Sequence, residues 1–170
     1  MEKYFDVTNS GLAKEYEAYW EKTILLNSSV KDFLKDNNIE TTGYGYDRNN
    51  FYIVPTEQDN VNFKGKLCKG LDNGLQRFKK NSTIAKAWIK LLDDKNLNNI
   101  SKPTPQLYFA ETCGRTRSSV FKYNNHIYLY FSNEYDELNP FDKDDFIEIK
   151  ASEYHKYKEL CEEEKSCKNK

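Results

Sequence analysis

Apolar positions recur most regularly near the start of the chain. Leu12, Tyr16, Tyr19, Thr23, Leu26, Val30 and Phe33 follow one another at alternating steps of four and three, the mark of one helix face. The spacing predicts a helix over residues 9–36, with Thr8, Asn9 or Ser10 as its cap and Asn37-Asn38 as its stop. The pattern then changes period. Two short aromatic runs within residues 44–54 flank Asp47-Arg48-Asn49-Asn50 and predict a β-hairpin. Pro55 closes its second strand, and Thr56 stands ready to cap a short helix. Residues 65–80, with Gly65, Gly70 and Gly74 among lysines, read as a loop with a helical turn. Ser82 then caps a helix in which Ile84, Trp88 and Leu91 share a face.

Behind Pro103 and Pro105 the alternation predicts a three-strand meander over residues 106–112, 117–123 and 126–132. Asn124-Asn125 suits a two-residue turn, because Asn tolerates positive φ. Phe146-Ile147-Glu148-Ile149-Lys150 adds an edge strand, and Ser152 caps a terminal helix through Glu163. The fold class is therefore α+β, an antiparallel sheet (hairpin plus meander) packed with a long N-terminal helix and further helices. With no repeat and no composition break, residues 1–163 are expected to form one domain and residues 164–170 a frayed tail.

The Asn-Asn turn fixes a register. Tyr123 faces His126, Phe121 faces Tyr128, Ser119 faces Tyr130 and Arg117 faces Ser132, all on one face of the hairpin. Val120, Ile127, Leu129 and Phe131 occupy the other, as expected of a core face beneath the long helix.

Composition sharpens this picture at two points. Aromatic residues make up 15% of the 170 residues, 13 Tyr, 10 Phe and 2 Trp, enough ring area to argue against disorder. The formal net charge is −1, which removes a global electrostatic argument for nucleic-acid binding. The distribution is uneven: residues 64–90 carry seven Lys and Arg77 against Asp72 alone, and residues 131–150 carry seven acids against two lysines. The N-terminal residues lack an apolar segment and no run approaches membrane-spanning length, so a cytoplasmic location with reduced thiols and no membrane partner is expected. His155, Cys161 and Cys167 do not match a zinc knuckle, and no metal or cofactor is expected.

Only four arginines occur, and Arg115 and Arg117 stand two apart in G-R-T-R-S-S. A guanidinium fork suits bidentate phosphate or carboxylate contacts, hydroxyls add neutral donors, and exposed rings can stack bases. Arg115, Thr116, Arg117, Ser119, Phe121, His126, Tyr128 and Tyr130 form the candidate ligand face, with Lys79 and Lys80 as a second wall. The same residues also suit a plain sheet face whose arginines pair with the acids of residues 134–148. Cys113 beside Arg115 is the alternative as a nucleophile, though without a paired histidine. No P-loop, dinucleotide-binding or zinc-protease motif occurs, and no catalytic residue is assigned.

Six strings resemble a small phage- and prophage-encoded protein family of unknown function: Y-F-D-V-T-N at 4–9, V-P-T-E at 54–57, N-G-L-Q-R-F-K-K-N-S at 73–82, K-A-W at 86–88, G-R-T-R-S at 114–118 and E-I-K-A-S-E at 148–153. The resemblance implies a setting and no mechanism: an accessory protein that interferes with a host defence system by binding. The partner would be a nucleotide signal, RNA or an acidic protein surface. Alternatives are a small nucleotide- or nucleic-acid-modifying enzyme, and a structural or regulatory phage protein acting through protein contacts, including a homodimer through the long helix.

Overall fold

Ser10 begins the first helix. Its hydroxyl accepts the Ala13 amide at 3.1 Å and donates to Val7 O at 2.6 Å, satisfying one orphan donor of the first turn. Asn38 ends the helix in the left-handed region at φ 54°, while the Asn37 side chain caps Phe33 O at 2.8 Å. The computed structural model describes residues 1–38, 41–46, 51–55, 67–68, 76–78, 83–97, 100–110, 112, 114–134 and 137–169. In chain order its elements are β1 (Glu2–Asp6), α1 (Gly11–Asp36), β2 (Thr41–Tyr46), β3 (Phe51–Pro55), β4 (Leu67–Cys68), β5 (Gln76–Phe78), α2 (Thr83–Asp94), a 3-10 turn (Pro105–Tyr108), β6 (Phe109–Ala110), β7 (Thr116–Tyr123), β8 (His126–Asn133), β9 (Asn139–Pro140), β10 (Ile147–Ile149) and α3 (Ala151–Lys168). The fold is α+β with antiparallel sheets.

The chain packs as two compact units, Met1–Tyr19 with Lys102–Lys170, and Trp20–Ser101. In the second unit, Leu26, Val30 and Phe33 of α1 form a buried core with Trp88, Leu92 and Leu97, and Phe33 meets Trp88 edge-on at 5.4 Å. Its strands lie in the order β2-β3-β5-β4, and β2 pairs with β3 as the hairpin pattern predicts. Where a loop was expected over residues 65–80, β4 and β5 pair with each other. The hairpin turn at 47–50, the Thr56 cap and the Ser82 cap lie outside the described residues.

The first unit holds a four-stranded sheet in the order β10-β1-β8-β7. Asn124 and Asn125 have φ of 49° and 62°, a turn whose twist matches that of the flanking strands, and every pairing of the register derived above is present. The expected third strand of the meander is different. Residues 105–108 form the 3-10 turn started by Pro105, and β6 pairs with β9 instead of β7. The place beside β8 belongs to β1, and β10 pairs on the other side of β1 as an edge strand.

Each face of this sheet has its own cover. On one, Phe5 and Phe131 meet Phe109, the latter pair stacked at 4.3 Å, with Phe146 closing the cluster. Lys122 Nζ reaches Glu17 at 2.9 Å, placing the first turns of α1 over this face. On the other, α3 lies across Tyr4, Phe121 and Tyr128 through Tyr154 and Cys161. The helix starts at Ala151, one residue before the expected Ser152 cap, with the Glu153 carboxylate accepting the Lys150 amide at 3.1 Å, and it continues through Lys168.

A candidate anion-binding groove

Side chains alternate along a strand, so the register arranges the α3-side face into rows across β1, β8 and β7. Asp6, Tyr128 and Phe121 form one row, and Tyr4, Tyr130 and Ser119 the next. Glu2, Ser132 and Arg117 form the third, a carboxylate, a hydroxyl and a guanidinium on three neighbouring strands. α3 covers the aromatic rows. Tyr154 packs on Tyr4 at 4.9 Å and on Phe121 at 5.1 Å, and its hydroxyl donates to Ser119 O at 3.3 Å. Tyr157 stacks on Tyr128 at 5.0 Å.

The third row stays open. Glu2, Arg117, Tyr130 and Ser132 line a groove of about 470 Å³ together with Met1, Arg115, Asn133 and Glu134. That volume lies within the roughly 300–1,000 Å³ of small-molecule sites. Arg115 follows Gly114, whose φ of 79° turns the chain into β7. Both arginines are exposed, and among the described residues neither guanidinium has an ion pair. The two carboxylates in the groove are engaged by neutral donors. Tyr130 donates its hydroxyl to Glu2 Oε2 at 3.1 Å, and the Arg115 backbone N–H donates to Glu134 Oε2 at 3.3 Å. Asn133 is 2% exposed, and among the described residues neither its amide oxygen nor its amide nitrogen has a partner. Alternation puts that side chain on the opposite face of β8, beside Thr116.

The expected ligand face is thus divided. Arg115, Arg117 and Tyr130 share the groove. Phe121 and Tyr128 do not face solvent: they are 9% and 6% exposed because α3 seals them, so neither offers a platform for bases. Burial, with Asp6 and Tyr157 nearby, pushes the Tyr128 phenol up to about 12. Ser119 is half-buried, and its carbonyl is taken by Tyr154. Thr116 turns its hydroxyl to Gln106 Oε1 at 3.4 Å. His126 stands at the far end of β8, with Nδ1 2.8 Å from Asp6 Oδ2 and its ring stacked on Tyr128. Lys79 and Lys80, like Cys113, lie outside the described residues.

Glu2 and Asn133 escaped sequence reasoning, whereas Glu134 was among the acids expected near the arginines. Glu2 required recognising β1 as a strand beside β8. Asn133 required extending β8 one residue beyond the expected end at Ser132. Among the described residues no group of three or more His, Cys, Asp or Glu side chains is placed to hold a metal ion, and no helix is long and apolar enough to cross a membrane. No protein-family model, no curated protein and no solved structure matches the chain.

Proposed function

We propose that this chain is a phage-derived accessory binding protein whose groove captures a phosphate-bearing ligand and so interferes with a host defence system that signals through it. One observation carries the ligand part of this reading. Two exposed guanidiniums flank a groove in which the available carboxylates already accept hydrogen bonds from a phenol and a backbone amide. Opposite charges this near one another ordinarily collapse into pairs. Here neither guanidinium has an ion pair among the described residues, and a guanidinium binds phosphate oxygens in bidentate fashion. Ser132 adds a hydroxyl between Glu2 and Arg117. The phage setting rests on the resemblance of the six strings, among them G-R-T-R-S, which supplies the groove's arginines. The closure of the ring face beneath α3 favours a compact ligand over an RNA strand laid across the sheet.

Thermal denaturation with pyrophosphate and nucleoside monophosphates tests the reading. A ligand at a hundred times its Kd stabilises by about 2.7 kcal/mol. For a chain of this length that raises Tm by about 5–10 °C. Arg115→Ala and Arg117→Ala should each remove most of that shift while leaving the ligand-free Tm within about 1 °C, since neither side chain is buried. Unaltered Tm at millimolar pyrophosphate and nucleotide would sink the proposal.

A further inference from the structure

The groove's charges point beyond phosphate to the rest of the ligand. Its third row is not uniformly basic: Glu2 on β1 faces Arg117 on β7 across Ser132 on β8. Three adjacent strands put the Cα atoms of Glu2 and Arg117 about 10 Å apart, on one face of the sheet. Glu2 is exposed, and the Tyr130 hydroxyl takes one site on Oε2. The Tyr4 phenol is bonded to the same carboxylate, but a carboxylate has about four lone-pair sites, so accepting capacity remains for a ligand.

An ionised carboxylate only accepts hydrogen bonds, and this constrains the base it can meet. The pairing edge of guanine offers two neighbouring donors, N1–H and the N2 amino group. Adenine and cytosine each place an acceptor beside their single amino donor, and uracil flanks its N3–H with two carbonyl oxygens. Only guanine presents a carboxylate with two donors and no opposed lone pair. We infer that the groove selects a guanine nucleotide, with Glu2 accepting from the base edge and Arg115 and Arg117 binding the phosphate. This inference rests on the anion reading above and adds the identity of the base.

Calorimetric titration with GMP, IMP, AMP and pyrophosphate tests both levels separately. GMP should bind at least tenfold more tightly than AMP, since a matched bidentate pair discriminates bases by about 1–3 kcal/mol. IMP, which keeps N1–H but lacks the N2 amino group, should fall between them. Glu2→Gln replaces one acceptor with a donor and should bring the GMP-to-AMP ratio close to one, while pyrophosphate binding persists and is not weakened, since a negative charge leaves the groove. Arg117→Ala should weaken all four. Equal affinities for GMP and AMP with pyrophosphate still bound would overturn the guanine assignment and leave the anion site standing. Loss of discrimination only through a matching loss of pyrophosphate binding in Glu2→Gln would also overturn it. Absence of binding by any of the four would overturn both.

Discussion

Asp6 shows how one side chain can hold a strand end. Its carboxylate accepts from both the hydroxyl and the backbone amide of Thr8, and its other oxygen lies 2.8 Å from His126 Nδ1. Thr8 in turn accepts the Ile127 amide at 3.0 Å, so the loop after β1 is tied to the start of β8. Burial alone would push the Asp6 carboxyl up, but the bonds from Thr8 and His126 outweigh it and hold the group below the ordinary carboxylate range. A depressed folded-state pKa contributes stability that is complete above the unfolded value, about 3.9, and is lost as pH falls through the folded value. Asp6→Asn should therefore cost about 1–2 kcal/mol at neutral pH. The difference from the parent should shrink below about pH 4, as measured by urea denaturation across the acid range. A constant difference down to pH 2 would mean that the carboxylate charge has no part in it. At this scale the sequence was partly legible. The arginine pair drew attention through its spacing, whereas Glu2 carries no local signal and Asp6 only its Thr8 partner, since Tyr130 and His126 lie more than a hundred positions away.

α3 decides which part of the sheet remains available. Tyr154, Tyr157 and Cys161 recur at steps of three and four, and the same steps seat them on Tyr4, Phe121 and Tyr128. Tyr154 is 1% exposed, so Tyr154→Ala should cost about 3–5 kcal/mol and admit an apolar dye to the ring face. Tyr154→Phe should cost only about 1 kcal/mol, the bond to Ser119 O, and admit none. Dye binding by both variants, or by neither, would contradict this account of the cover. The helical stripe of α1 and the turn-defined register of β7 and β8 were legible because each is set by local periodicity or local backbone conformation. The choice of cover was not. A stripe tells that a helix will bury one face, but the face it meets is settled by tertiary packing. β1 escaped for a related reason: Tyr4 and Phe5 are both buried, on opposite faces, so Glu-Lys-Tyr-Phe-Asp lacks the alternation of a one-sided strand.

For the whole molecule, a net charge of −1 gives no net long-range attraction for an anion. The binding proposed for the groove therefore rests on Arg115 and Arg117 at short range. Pyrophosphate affinity should fall as sodium chloride is raised from 50 to 500 mM, while the ligand-free Tm changes little, because exposed charges are screened over a Debye length of about 10 Å or less. A Tm that fell with salt as steeply as the affinity would place those charges in the fold and not in binding. The order of the strands has a temporal consequence as well. β1 lies between β8 and β10, so both of its neighbours are synthesised more than 120 residues after it. The unit formed by Trp20–Ser101 has all its core residues within that interval. As the polypeptide leaves the ribosome, that inner unit can close early, at the roughly 5–20 residues per second of synthesis. The opening strand must wait, unpaired, until the closing third of the chain emerges, and the groove cannot exist before that last assembly.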